Sequence, residues 1–259
     1  MQRLAAAAIL LAASFAWGQQ ADPVDVSAEP HHHVVLDNLF VKAYDVQVAP
    51  KESTLMHRHG KDYLGVFLGN SEIQNTKQGA QPAMAKFKDG DVRYTPGGLV
   101  HAIADSGDAP FRNITIELLQ PTTNQKNCTE SCSIPVKCEG SAPCATATKI
   151  MTADQWSVTQ IEIPAGGVYP QHTHLANFLV IPLTDADVTV KNQDGPEAPA
   201  HYASGKVTWN NPLVHTITNT GKTPAKAVVL EFRGRPAGEG SESMGADQKA
   251  GEHKPHDHH

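Results

Sequence analysis

The sequence predicts an all-β protein with two related domains, and three observations lead to that prediction. Short stretches of alternating apolar and polar residues recur along the chain, and no long amphipathic helix pattern separates them. Two segments of the chain are similar to each other, which indicates an internal duplication. Each segment contains a pair of histidines spaced i, i+2 and a later single histidine. In a strand, the two histidines of such a pair point to the same face.

The duplication is visible as nearly constant offsets. An offset of 115 residues relates three positions, which are His57/His172, His59/His174 and Asp62/Asn177. An offset of 114 residues relates five later positions, which are His101/His215, Asp105/Asn219, Gly107/Gly221, Pro110/Pro224 and Glu117/Glu231. Because the two offsets differ by only one residue, they indicate an internal duplication. A period this long predicts two domains of about 90 residues each rather than a solenoid.

The N-terminus is typical of an export signal. Arg3 gives a short basic head, residues 4–16 are apolar and Ala-rich, and small residues precede a cleavage position after Gly18. The alternative is a membrane anchor, for which the apolar run is short. We therefore predict a signal peptide at residues 1–18 and a periplasmic or secreted protein without membrane contact once the signal is removed.

Residues 19–33 are predicted to form an N-terminal extension. This extension ends in three consecutive histidines, His31, His32 and His33. The tract is either a solvated run or an accessory metal contact, and we favour the solvated run.

The first domain is predicted to span residues 34–121. Alternating or apolar runs predict strands, which are residues 41–48, 63–68, 91–95 and 111–118. The turn at residues 96–98 contains two glycines and is predicted to deliver His101 to the domain interior. In the last strand, Ile114, Ile116 and Leu118 are predicted to point inward. The intervening polar residues are predicted to point outward, and these are Asn113, Thr115 and Glu117.

A polar linker is predicted at residues 122–150, and it contains all four cysteines of the chain, which are Cys128, Cys132, Cys138 and Cys144. An even number of clustered cysteines in an exported protein favours two disulfides, with three pairings open. The alternative is a zinc site, which the spacings favour less because they lack close pairs separated by two residues.

The second domain is predicted to span residues 151–235, and its strand at residues 156–163 is the counterpart of residues 41–48. Residues 236–259 are Gly-, Ser- and charge-rich without periodicity, so we predict a disordered tail. Its four histidines, at positions 253, 256, 258 and 259, are predicted to bind metal weakly.

Composition narrows the classes of partner. The net charge of −6 and the absence of a basic run argue against nucleic acid. A small-molecule ligand or substrate is expected instead. Open barrel edges favour pairing between the two domains or between two chains, so a homodimer is compatible with the sequence.

Three imidazoles from two strands can hold one divalent metal and leave coordination positions open. The first predicted site has the ligands His57, His59, His101 and Asp62, where the carboxylate either completes the set or orients an imidazole. The second predicted site has His172, His174 and His215, with an amide in the carboxylate position. Fe, Mn, Ni and Zn all suit such nitrogen and oxygen donors.

The first segment resembles the cupin superfamily. Its second motif is matched at full spacing by Gly90, Pro96, Gly98 and His101, and the histidine pair fits the first motif. Asp62 replaces the usual glutamate of that motif, and the gap before it is shorter than usual. The resemblance covers about two thirds of the chain. It implies a bicupin with two tandem cupin-like barrels of the double-stranded β-helix (jelly-roll) type.

This resemblance implies a metal-dependent dioxygenase or decarboxylase that acts on a small carboxylate or phenolic compound. Asp62 is the candidate acid or base, and Tyr63 and Arg93 are candidates for substrate contact. The alternative is a non-catalytic periplasmic bicupin that binds a ligand or a metal, and a sugar isomerase is a third, weaker candidate. A polar pocket beside the first histidines favours catalysis, whereas a filled apolar interior favours binding.

Overall fold

A computed structural model describes residues 22–233 of the chain as two β-barrels joined by a linker. The predicted signal peptide and the predicted tail, with its four histidines, lie outside the described residues. A single 3-10 turn, Val26–Ala28, is the only helical segment in the described part of the chain. No helix within residues 22–233 has the length and apolar character needed to cross a membrane.

The first barrel consists of two five-stranded sheets, ordered β1-β4-β9-β6-β7 and β2-β3-β10-β5-β8. Its strands are β1 Val24–Asp25, β2 His32–Asp37, β3 Val41–Val48, β4 His57–Arg58, β5 Tyr63–Phe67, β6 Ser71–Lys77, β7 Ala83–Phe87, β8 Val92–Thr95, β9 Val100–Asp105 and β10 Phe111–Leu118. All pairings are antiparallel except that of β1 with β4.

The second barrel repeats this plan with a seven-stranded and a four-stranded sheet. The larger sheet has the order β11-β13-β14-β21-β16-β19, and β12 also pairs with β13. The smaller sheet has the order β15-β20-β17-β18. Two short strands come from the linker, β11 Lys126–Asn127 and β12 Ser133–Ile134. The others are β13 Thr146–Thr152, β14 Trp156–Ile163, β15 Val168–His174, β16 Phe178–Pro182, β17 Ala186–Asn192, β18 Glu197–Tyr202, β19 Thr208–Asn210, β20 Leu213–Asn219 and β21 Ala225–Phe232.

The all-β prediction is confirmed. Strands β3, β10 and β14 coincide with the predicted residues 41–48, 111–118 and 156–163. The segments placed outside the domains also contribute strands. Part of the N-terminal extension forms β1 and the start of β2, and β13 begins five residues before the predicted start of the second domain.

The largest apolar cluster lies between the two barrels. It joins the β3-β10-β5 face of the first barrel to the β14-β21-β16 face of the second. The same repeat positions contribute from both sides, as the equivalent pairs show: Val41/Trp156, Ala43/Val158, Leu64/Leu179, Val66/Ile181, Leu68/Leu183, Ile114/Val228, Ile116/Leu230 and Leu118/Phe232. Two smaller clusters fill the two barrel interiors.

Strand β10 corrects one prediction. Its apolar residues, Ile114, Ile116 and Leu118, were predicted to point into the barrel, but they face away from its cavity and toward the second barrel. Its polar residues do not point to solvent, because Asn113, Thr115 and Glu117 are also buried. Asn113 and Thr115 line the interior cavity of the first barrel. The prediction of a solvent-facing polar side was wrong because this strand lies between two buried layers, so a polar residue here marks a cavity.

The linker contains the two predicted disulfides. Cys128 is bonded to Cys132, and Cys138 to Cys144, so neighbouring cysteines pair. These bonds close short loops in a segment whose side chains are mostly exposed. No cysteine in the described chain is free.

Candidate metal centres

In each barrel, two antiparallel strands bring the histidine pair and the single histidine together. Strand β4 pairs with β9, and His57 lies directly opposite His101. Strand β15 pairs with β20, and His172 lies directly opposite His215. The predicted assembly of three histidines from two strands is therefore found in both repeats.

The three predicted histidines of the first barrel lie close together, but the group whose ring nitrogens all lie within 4.8 Å of one another consists of His32, His57 and His59 and leaves out His101. The Nε2 atoms of His57 and His59 are 3.1 Å apart. The ring of His101 lies 4.7 Å from the ring of His57 and 5.3 Å from that of His59, measured between centroids. The Nε2 atom of His101 is buried and has no hydrogen-bond partner among residues 22–233. Such a buried, unpartnered nitrogen is what a metal ligand leaves when its ion is removed.

Hydrogen bonds on the far side of the rings fix the tautomers of His57 and His101, whereas the buried Nδ1 atom of His59 has no hydrogen-bond partner among residues 22–233. His57 Nδ1 donates to the Leu55 carbonyl oxygen at 2.8 Å, and His101 Nδ1 donates to Asn75 Oδ1 at 3.0 Å. A carbonyl oxygen cannot donate, so Nδ1 of His57 carries the proton and its Nε2 presents a lone pair. This is the arrangement in which proteins hold metal-ligating histidines. The residues therefore fit a divalent metal.

His32 is a fourth histidine at this site. Its ring lies 4.7 Å from that of His57 and 5.8 Å from that of His59. The solvated-run prediction was wrong for His32, because it is buried and lines the cavity. It pairs with Val46, whose side chain faces the barrel interior. The sequence did not reveal this register, because a bulge between Val34 and Leu36 shifts the pairing of β2 with β3.

The structure does not bring Asp62 to the histidines. One carboxylate oxygen accepts a hydrogen bond from the Tyr94 hydroxyl, and the other accepts one from the Gly97 amide, both at 2.8 Å. Burial raises the pKa of this carboxyl, but these hydrogen bonds outweigh it and lower the pKa overall. Asp62 thus fastens the turn that precedes His101 and does not line the cavity.

The cavity of the first barrel has a volume of about 340 Å³ and combines polar and apolar walls. Tyr63 stacks on His59, with ring centroids 4.2 Å apart, and Arg93 also lines the cavity. Lys77 lies directly opposite His101 in the pairing of β6 with β9 and lines the cavity as well. Among the described residues, no aspartate or glutamate belongs to the lining. The interior is therefore an open cavity with mainly apolar walls and two exposed cationic side chains, rather than the filled core that favours binding.

The second barrel has three histidines in a different setting. The Nε2 atoms of His172 and His215 are 2.9 Å apart, and His172 Nδ1 donates to the Pro170 carbonyl oxygen at 2.9 Å. His174 Nδ1 lies 3.8 Å from the carboxylate of Glu231. The cavity beside them has a volume of about 290 Å³ and mainly apolar walls, among them Ile161, Ile163, Phe178, Val188, Leu213 and Ile217.

Burial makes these histidines poor bases. Removal from water lowers the pKa to about 4 for His57, about 2 for His59 and about 3 for His101. The same cause lowers the pKa to about 4 for His172 and about 3 for His215. All five are therefore neutral near pH 7, which is the state that binds metal.

The stability of the metal-free protein is expected to fall as the pH decreases from about 6.5 to about 4. In this range the unfolded chain binds protons at these histidines while the folded chain does not, so protonation favours unfolding. Each histidine contributes up to about 1.4 kcal/mol per pH unit, and this dependence on pH vanishes above about pH 7. Melting temperatures measured in excess chelator between pH 4 and 8 give this dependence of stability on pH. A melting temperature that is constant from pH 4 to 7 would contradict the burial of neutral histidines.

No protein-family model matches the chain, and no curated protein matches it. Solved structures do. AerE from Microcystis aeruginosa aligns with a TM-score of 0.54 and 9% identity, covering 75% of this chain and 88% of AerE. An oxalate decarboxylase aligns with a TM-score of 0.52 and 13% identity over 74% of this chain and 68% of that chain. A mutant of Bacillus subtilis oxalate decarboxylase OxdC aligns with a TM-score of 0.52 and 12% identity over 76% of this chain and 70% of that chain.

At these identities the alignments concern the fold alone, and they span both barrels of this chain rather than one. The duplicated strand plan, the opposed histidines in each barrel and the shared core between the barrels agree with them. The chain therefore has a bicupin fold, with two tandem cupin-like barrels.

Proposed function

We propose that this chain is an exported, metal-dependent enzyme whose first barrel acts on a small carboxylate by decarboxylase or dioxygenase chemistry. The observation that carries the proposal is the cavity beside the buried histidines. That cavity is lined by Lys77 and Arg93 and, within the described chain, by no acidic side chain.

The charges in this cavity select an anion. Neutral imidazoles leave the charge of a bound divalent metal uncompensated, and the two cationic side chains add to it. A bound metal would supply Lewis-acid chemistry, or oxygen activation if it is iron. With Asp62 engaged elsewhere, the imidazole donors favour Fe, Ni or Zn over Mn.

The chain's own residues would bind and orient the substrate. Lys77 and Arg93 would attract its carboxylate, and Asn113 and Thr115 offer neutral polar contacts in the same cavity. Burial raises the pKa of Tyr63 to about 12, so its hydroxyl stays protonated and can donate a hydrogen bond. The apolar lining residues exclude water beside the histidines, namely Phe67, Ile73, Ile103 and Phe111.

Export is part of the proposal. The basic and apolar N-terminal residues support a cleaved signal, and the two linker disulfides are consistent with an oxidising compartment such as the periplasm. A mature N-terminus at residue 19, read by mass spectrometry of the exported protein, is the expected result.

The second barrel favours a different function. The walls of both cavities are mainly apolar, but within the described chain the lining of the second contains one cationic side chain, Lys226, where that of the first contains two. With one cationic side chain fewer, this cavity attracts an anion less strongly, so an uncharged or phenolic compound is the better candidate ligand. We propose that the second barrel binds a ligand without catalysis, which is the alternative function named above, here assigned to one half of the molecule.

Oxalate is a suitable probe for the first cavity, because an oxalate decarboxylase shares the fold. In the zinc-loaded protein, Lys77→Gln is expected to weaken oxalate binding about tenfold, since one nearby charge contributes about 1.4 kcal/mol. Arg93→Gln is expected to have a smaller effect, because Arg93 also pairs with Asp91 at 3.4 Å. Titration calorimetry measures both effects.

Lys88→Gln is the matched control, because Lys88 is exposed and lies outside the lining of this cavity. Equal oxalate affinity in all three variants would contradict the proposed anion site. Release of carbon dioxide and uptake of oxygen, measured with the iron-loaded protein and a panel of small carboxylates, then separate the two chemistries. Carboxylate binding without release of carbon dioxide or uptake of oxygen would favour a non-catalytic bicupin.

A further inference from the structure

The N-terminal segment contains a buried carboxylate that the proposed function does not use. Glu29 is 2% exposed. It accepts hydrogen bonds from His32 Nδ1 at 2.6 Å, from His31 Nδ1 at 3.0 Å and from the Leu55 amide at 3.1 Å. A buried charge is costly unless it is paired, and these three hydrogen bonds pair the carboxylate and fix its position.

Glu29 is connected to two histidines of the first cluster. It contacts His32 directly. It also holds the amide of Leu55, whose carbonyl oxygen accepts the hydrogen bond from His57 Nδ1. One carboxylate therefore orients the rings of both His32 and His57.

The orientation of His32 is that of a ligand. Its Nδ1 atom donates to the Glu29 carboxylate, so in the neutral ring that binds metal Nε2 presents a lone pair. One ring nitrogen from each of His32, His57 and His59 lies within 4.8 Å of the others. The ring of His32 also meets those of His57 and His59 edge-on and does not stack on them.

The second barrel has no counterpart of this histidine. The offset of 115 residues maps His32 onto Ala147, and the strand pairing agrees, since His32 pairs with Val46 and Ala147 pairs with Ile161. Ala147 is buried in the apolar core of its barrel and has no donor atom in its side chain. The fourth histidine is therefore specific to the first site.

We propose that His32 is a protein ligand of the first-barrel metal, together with His57 and His59, and that Glu29 is its positioning residue. The N-terminal strand then completes the site from outside the two repeat motifs, in place of the carboxylate that Asp62 does not provide. This inference rests on metal binding in the first barrel, which is part of the proposed function.

Cobalt(II) titration of the full-length chain tests the inference, with His172→Ala present throughout to weaken the second site. Loss of an outer hydrogen-bond partner typically costs roughly 10- to 100-fold in metal affinity, so Glu29→Gln is expected to weaken cobalt binding by that factor. His32→Ala removes a ligand and is expected to cost about 100-fold or more. The visible absorption spectrum of the cobalt-loaded His32→Ala protein is expected to differ from that of the parent, because one nitrogen donor is lost.

His33→Ala is the matched control, because His33 is the adjacent residue and is exposed. His32→Gln is a second variant, which retains a hydrogen-bond donor for Glu29 but has no imidazole, and circular dichroism verifies that each variant is folded. If cobalt binding is lost in His57→Ala but His32→Ala and His33→Ala have the same affinity and spectrum, the inference is overturned and the proposed function stands. If the parent chain binds no cobalt that His57→Ala removes, both are overturned.

Discussion

The His57→Ala protein is expected to hold one equivalent of metal fewer than the parent, and His172→Ala is expected to lose the other equivalent. The two histidine clusters lie in separate barrels, so each substitution removes the ligand of one site only. After reconstitution with a divalent metal and passage over a chelating resin, the parent should retain about two equivalents, each single variant about one and the double variant about none. Elemental mass spectrometry measures these ratios.

His201→Ala is the control for this measurement. His201 is exposed and pairs with Asp187 at 2.8 Å, outside both clusters, so its loss should leave the metal content unchanged. The tail histidines are present in every variant and cancel in the comparison. A His57→Ala protein with the full metal content of the parent would show that the first cluster is not a metal site.

The Leu179→Ala protein is expected to be about 3–5 kcal/mol less stable than the parent. Leu179 is 0% exposed and lies in the apolar cluster between the barrels, where removal of three carbon atoms leaves a cavity. For a domain of this size the melting temperature should fall by about 10 °C. Because both barrels share this cluster, denaturation followed by circular dichroism should show one transition for both barrels.

Leu175→Ala is a matched control with the same change of side chain. Leu175 is four residues away and 86% exposed, so its substitution should change stability by less than about 0.5 kcal/mol. Two separate transitions, with only the second barrel weakened by Leu179→Ala, would show that the inter-barrel cluster does not couple the barrels.

The sequence was most informative where local spacing determines geometry. The i, i+2 pair His57 and His59 must share a strand face, and the repeat offset doubled that signal. Strands such as β3 and β14 were readable because their alternation is regular. The three motif histidines of the first site were therefore predictable without knowing how the strands pair.

The remaining features depend on contacts between distant segments. His32 enters the cavity through the register of β2 on β3, which a bulge alters. Asp62 turns away because Tyr94 and Gly97, more than thirty residues later in the chain, compete for its carboxylate. The polar face of β10 was predicted to be exposed to solvent. Alternation of apolar and polar residues shows that a strand has two different faces, but it does not show what covers each face.

Equivalent residues of the two repeats meet in the apolar cluster between the barrels. An interface in which the same patch from both partners meets itself is isologous, and this is the geometry of a two-fold homodimer. In this molecule the dimer interface is internal, and the linker joins its two halves. A second copy of the chain cannot use that face, so any larger assembly must form through a different surface. Separated single barrels would expose the face around Leu64 or Leu179 and re-form the pair or aggregate.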